Sequence, residues 1–98
     1  MKRSKKAGRK VRIWVRRFKD NRMLEDITIS NTDNDTRTHK VLKALENACK
    51  EMDLPVPIWL EININDFKRN AKCRFYQDSF MESVDFDYLE MQIIEEDI

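Results

Sequence analysis

The charges of this chain are segregated along its length, and this feature most constrains how the chain can fold. Of the 98 residues, the first 22 contain 11 lysines and arginines and a single acid, Asp20. Residues 78–98 contain eight acids and no basic residue, although the whole chain carries a formal net charge of only +1. Opposite charges stabilise a sheet when they face each other on neighbouring strands. The pattern therefore favours a fold in which a basic first strand lies beside an acidic last strand.

The basic start also has a functional interpretation, in which it contacts an anionic partner. Clusters of lysine and arginine attract the phosphates of nucleic acid, although such clusters are a signal of low specificity. Residues 1–9 contain almost no apolar side chain, so we predict a disordered basic tail there. The two interpretations are compatible, and the sequence does not choose between them.

A β-hairpin is predicted from Val11–Phe18 and Met23–Ser30, which are rich in β-branched and apolar residues and flank turn-forming Asp20 and Asn21. A three-residue loop, Asp20–Arg22, gives the register that best separates apolar from polar side chains. In that register, the opposed residues are Val15 and Ile27, Ile13 and Ile29, Arg17 and Glu25, and Arg16 and Asp26.

This register assigns the side chains of the first strand to two faces. The core face is predicted to contain Val11, Ile13, Val15, Ile27 and Ile29. The opposite face would carry Arg12, Trp14, Arg16 and Phe18. Aromatic rings interleaved with arginines resemble a platform on which nucleic-acid bases stack. The alternative is that another part of the chain, or a second copy, covers Trp14 and Phe18.

The rest of the chain predicts two helices and a final strand. A helix capped by Asp35 or Thr36 is predicted to run to about Asp53, because apolar residues recur at helical spacing. A second helix is predicted at about 65–76, capped by Asn63 or Asn65. Residues 58–64 alternate in polarity and predict a short strand or a loose turn between the helices.

The last strand is predicted over Val84–Glu95, beside the first strand. Its apolar phase switches near Tyr88 and Leu89, which indicates a bulge or a strand covered on both faces. The predicted order is β-β-α-(β)-α-β. We therefore predict one α+β domain over residues 10–96, with a small, mostly antiparallel sheet packed on two helices.

Small residue counts argue against several classes of site. One histidine (His39) and two distant cysteines (Cys49 and Cys73, both in predicted helices) do not supply the ligands of a zinc site. No nucleophile–base pair, metal site or phosphate-binding glycine loop is recognisable, so we predict neither a cofactor nor an enzyme.

The longest mostly apolar uncharged run, 54–60, is too short to cross a bilayer. A cytoplasmic protein is expected, in which the cysteines are small buried side chains; the sequence leaves a single bridge between them open.

Several short segments are similar to sequences seen elsewhere. They are Thr36–Lys40, Trp59-Leu60, Phe67–Arg69, Gln77-Asp78 and Asp85–Glu90. Through them, residues 11–96 resemble a group of short uncharacterised bacterial proteins, chiefly from anaerobic Firmicutes. The resemblance implies a bacterial cytoplasmic setting and implies no activity, ligand or site residue.

Two functional hypotheses follow. In the first, the chain is a small non-enzymatic module that binds nucleic acid through its tail and the arginine–aromatic strand face. The residues that would carry this binding are Lys5, Lys6, Arg9, Lys10, Arg12, Trp14, Arg16 and Phe18. In the second, the chain is a protein-interaction or homo-oligomeric module whose basic and acidic ends pair within or between copies.

Overall fold

Two helices and a four-stranded antiparallel sheet form the part of the chain that the structure describes. The structure is a computed structural model, and it describes residues 9–97. The elements are β1 (Val11–Lys19), β2 (Arg22–Asn31), α1 (Arg37–Glu51), α2 (Glu61–Asn70), β3 (Lys72–Phe75) and β4 (Tyr88–Glu96). The strands lie in the order β2-β1-β4-β3. The predicted α+β class is confirmed.

The hairpin has the predicted register but a shorter turn. Asp20 and Asn21 both have positive φ angles, 53° and 63°, as a two-residue turn that matches the twist of a hairpin requires. The register shifts after Arg17, so that Leu24 is the additional residue of a bulge in β2. This bulge restores the predicted pairs Val15–Ile27, Ile13–Ile29, Arg17–Glu25 and Arg16–Asp26. The predicted three-residue loop was therefore wrong, while the pairing of side chains was right.

The acidic β4 lies directly beside the basic β1, as the charge pattern predicts. Val15 is opposite Met91, and Arg16 is opposite Glu90. The strand begins at Tyr88 rather than at Val84. Residues 84–87 approach the core as a loop, in which Phe86 is buried. The change of apolar phase near Tyr88 therefore marks the start of the strand.

The core lies between one face of the sheet and the two helices. Helix α1 is capped by Thr36, whose side chain accepts a hydrogen bond from the His39 backbone N–H. The core contains alternate residues of β1 and β4, one stripe of α1, and aromatic residues from α2 and β3. Its best-buried side chains include Ile13, Val15, Ala44, Leu45, Ala48, Cys49, Phe75, Leu89 and Met91.

The segment between the helices differs from the prediction. Residues 58–64 form no strand, since α2 already begins at Glu61. The early start is fixed by Asn63, which accepts a hydrogen bond from the Leu60 N–H and donates one to the Arg74 carbonyl oxygen. Asn63 thus caps the helix from inside its first turn and ties it to β3.

A strand replaces the second half of the predicted second helix. Ala71 adopts a left-handed conformation with φ 55°, which ends α2. Residues 72–75 then pair with β4 as β3. Phe67 and Phe75 both reach the core, but one does so from a helix and the other from a strand. Cys73 therefore lies in a strand and not in a helix.

Both cysteines are free and buried. Burial raises the pKa of the Cys49 thiol to about 12. Burial, together with the nearby carboxylates of Asp66 and Glu90, raises the pKa of the Cys73 thiol to about 12. Across residues 9–97, no helix is both long and apolar enough to span a membrane.

Candidate nucleic-acid interface

The sheet has one face that neither helix covers, which we call the open face. Its residues are identified by register, because directly opposed residues in an antiparallel sheet point to the same side. They are Lys72 and Arg74 of β3, Tyr88, Glu90 and Gln92 of β4, Arg12, Trp14, Arg16 and Phe18 of β1, and Asp26, Thr28 and Ser30 of β2. The four β1 residues predicted to share a face therefore do so.

Three aromatic rings cross one end of the open face, and we call them the ring row. Phe18 stacks on Tyr88 with ring centroids 5.0 Å apart and planes inclined by 20°. Tyr76, which follows β3, places its ring 5.5 Å from that of Tyr88. The guanidinium carbon of Arg74 lies 4.5 Å from the Tyr88 ring centroid, within cation–π range. The ring row thus joins three elements through aromatic contacts.

Trp14 lies further along the same face and is held by two polar neighbours. Its indole N–H donates to the Asp26 carboxylate at 2.8 Å. The guanidinium carbon of Arg16 lies 3.8 Å from the indole ring centroid. The ring is therefore fixed in orientation, and one of its faces is already stacked by a cation.

Glu90 occupies the middle of the open face and links three strands. Its carboxylate accepts from Arg16 of β1 at 2.6 Å and from Arg74 of β3 at 2.8 Å. The side chains of Glu90 and Arg16 are only 6% and 12% exposed, whereas that of Arg74 is 48% exposed. The hydrogen bond to Glu90 raises the pKa of the Arg74 guanidinium. We call these residues the Glu90 triad, which keeps one net positive charge.

Ion pairs at the far end of β1 are more exposed. Arg12 contacts Glu95 at 3.1 Å, and the Lys10 ammonium lies 3.7 Å from the same carboxylate. The backbone of Lys10 also pairs with Asp97 through its N–H and its carbonyl oxygen. The acidic strand thus neutralises part of the charge of the basic strand within one sheet.

The remaining predicted binding residues belong to the tail. Lys5 and Lys6 lie outside the described residues, as does the predicted tail except for Arg9. Arg9 is exposed, and its carbonyl oxygen accepts a hydrogen bond from the ammonium group of the buried Lys40. Lys40 therefore anchors the backbone at Arg9, the first described residue.

The sequence analysis missed the residues that β3 and β4 add to this face. Tyr88, Glu90 and Gln92 alternate with the buried Leu89 and Met91, so a correct strand start would have placed them beside the β1 residues. Lys72, Arg74 and Tyr76 were assigned to a helix, because the strand-like alternation of residues 72–75 is only four residues long and overlaps the helical spacing of Phe67, Ala71 and Phe75. They were found only because β3 pairs with β4.

Other polar groups do not assemble a second site. Among residues 9–97, no group of three or more His, Cys, Asp or Glu side chains is arranged to hold a metal ion. His39 is exposed beside Asp35, and their hydrogen bond lowers the pKa of the Asp35 carboxyl. Asp87 accepts a hydrogen bond from the backbone N–H of Asp20 and so braces the hairpin turn.

Comparison with protein-family models, curated proteins and solved structures finds no match to this chain. The functional conclusion therefore comes from the residues of the open face.

Proposed function

We propose that this chain is a small, non-enzymatic module that binds single-stranded nucleic acid on its open face and acts in the cytoplasm. The observation that carries the proposal is the gathering of Trp14 and the ring row on a sheet face that also holds four cationic side chains and is uncovered by helices. Bases stack on such rings with little regard to sequence, and each stacked base is worth about 1–3 kcal/mol.

The acids of the face set where phosphate contacts can form. Glu90 and Glu95 hold Arg16 and Arg12, so these arginines serve mainly to orient rings and strands. Arg74 is half exposed, and Lys72 is exposed at the edge strand. These two cations, together with the lysines of the tail, are the groups that we expect to meet phosphates.

The test is a fluorescence anisotropy titration of labelled single- and double-stranded DNA and RNA at several salt concentrations. We expect single strands to bind more tightly than duplexes, with affinity falling steeply as salt rises. Tyr76→Ala should weaken binding about fivefold or more, because Tyr76 is the most exposed ring of the row. Leu42→Ala is the matched control, since Leu42 is an exposed apolar residue of α1, on the helical side of the sheet.

Cation variants separate the open face from the tail. Arg74→Gln should weaken binding and reduce the salt dependence, whereas Arg69→Gln on α2 should change neither. A shortened chain that begins at Lys10 should keep the Tyr76 effect. Loss of all binding on shortening, with no effect of Tyr76→Ala, would identify a nonspecific basic extension and contradict the proposal. Absence of binding at low salt would also contradict it.

The second candidate function, a protein or homo-oligomer contact, is favoured by the free edge of β2. This edge strand is ten residues long and presents the exposed apolar side chains Met23 and Leu24. Long unprotected edges are templates for pairing with another chain. Sedimentation equilibrium tests it: a dimer that persists in high salt and dissociates on Leu24→Lys would favour this candidate.

A further inference from the structure

A groove separates α1 from α2 on the helical side of the molecule, away from the open face. Its volume is about 350 Å³, within the range of small-molecule sites. Its walls are apolar, formed by Val41 and Leu42 of α1, Ile64 and Phe67 of α2, and Trp59 from the connecting segment. Leu42 and Ile64 are each 40% exposed, so apolar surface remains open to water at this place.

Trp59 forms one wall of the groove and is held in place by two aromatic neighbours. Its ring packs edge-on against Phe67 at 5.5 Å and against Phe75 at 5.0 Å. Its indole Nε1 is buried and has no hydrogen-bond partner among residues 9–97. Buried indole N–H groups usually have an acceptor.

Positive charge flanks the apolar walls on both helices. Arg37, in the first turn of α1, lines the groove with its guanidinium carbon 5.7 Å from the Phe67 ring centroid. Its Nε donates to Glu96 at 2.7 Å. Lys68 of α2 also lines the groove, and among the described residues it forms no ion pair.

We propose that this groove binds a small amphiphile, with an apolar chain or ring system ending in a single carboxylate. The apolar body fits the walls formed by Leu42, Trp59 and Ile64, and the carboxylate pairs with Lys68 and the free nitrogens of Arg37. Lys68 and the guanidinium nitrogens of Arg37 that Glu96 does not contact favour an anionic head group, and the volume of about 350 Å³ favours a small molecule. This site is independent of the open face and of the function proposed for it.

The test uses decanoate as the probe and the fluorescence of Trp59 as the signal. A Trp14→Phe variant of the full chain leaves Trp59 as the only tryptophan, so that emission reports on the groove. We expect a saturable change in emission with decanoate. 1-Decanol, which has the same chain without the charge, should bind about tenfold more weakly. Isothermal titration with the unsubstituted chain should give the same dissociation constant for decanoate.

Charge variants on α2 then decide whether Lys68 is responsible for binding the carboxylate of decanoate. Lys68→Gln should raise the dissociation constant for decanoate about tenfold. Arg69→Gln, at the neighbouring exposed position outside the groove, should leave it unchanged. Equal binding of decanol and decanoate, equal effects of the two variants, or no saturable change up to millimolar decanoate would each overturn the proposal. A dimer that Ile64→Glu dissociates would also overturn it, because a second copy would then occupy the groove.

Discussion

The two faces of β1 are stabilised in different ways, although they alternate along a single strand. Val11, Ile13 and Val15 are buried against the helices, where exclusion of water from tightly packed side chains provides the stability. Arg12 and Arg16 lie on the open face, where charges are satisfied by carboxylates from β4. The comparison teaches that apolar packing holds the covered side of β1, whereas the other side keeps polar and aromatic groups within reach of a ligand.

The largest expected effect concerns the access of a thiol reagent to the two cysteines of the buried core. Because the pKa of Cys49 and of Cys73 is raised from 9.0 to about 12, the thiolate fraction near pH 8 is about a thousandfold below that of the unfolded chain. We expect iodoacetamide to modify both thiols slowly in the native chain and rapidly in urea. Mass spectrometry of the time course measures the rates. Rapid modification of the native chain would show that the core opens readily to the reagent.

The same shifts predict a loss of stability in alkali. Between pH 9 and 12 the folded chain keeps thiol protons that the unfolded chain has released, so the free energy of unfolding falls as pH rises through this window. Urea titrations at a series of pH values measure the slope. A Cys49→Ala, Cys73→Ala variant is the control, and its slope should be smaller. An identical slope would assign the effect to other groups.

The next largest expected effect is the loss of stability when a buried aromatic side chain is truncated. Phe75→Ala should lower the free energy of unfolding by about 3–5 kcal/mol, because Phe75 is fully buried and packs edge-on against Trp59. Phe18→Ala is the matched change on the open face, and we expect a smaller loss because Phe18 is only half buried. Urea denaturation followed by circular dichroism measures both. Equal losses would contradict the distinction between the two faces.

Glu90→Ala should cost about 3 kcal/mol, since it leaves the largely buried Arg16 guanidinium without its carboxylate. The Glu90 triad is the one place on the open face where a charge is as buried as a core residue. Glu90→Gln should restore part of the stability by keeping an acceptor. If Glu90→Ala is as stable as the unsubstituted chain, the triad does not hold β1, β4 and β3 together.

The smallest expected effect is at the exposed pair Arg12–Glu95, whose side chains are 40% and 44% exposed. A double-mutant cycle with Arg12→Met and Glu95→Gln should give a coupling of less than about 1 kcal/mol. The coupling should shrink further in high salt, because exposed charges are screened. A coupling as large as the Glu90→Ala effect would mean that exposure does not decide the strength of these pairs.

The hairpin was predictable because two independent signals agree on its register. One register both aligns Ile13 and Val15 with apolar partners and pairs Arg16 and Arg17 with acids. The turn length was less predictable, because a bulge at Leu24 lets a two-residue turn reach the same pairing. The aromatic–arginine face of β1 was predictable for the same reason, whereas the contributions of Tyr76 and Arg74 were not.

The sequence by itself determined the class of the fold, the register of β1 and β2, and the placement of an acidic strand beside a basic one, since local alternation and charge encode these features. Only the tertiary structure decided where α2 begins and ends and that β3 exists. Asn63 starts α2 early because its amide finds the Arg74 carbonyl of β3. Ala71 adopts a left-handed conformation although alanine favours helix, because the next residues complete the sheet beside β4. Long-range hydrogen bonds override local preference at these positions.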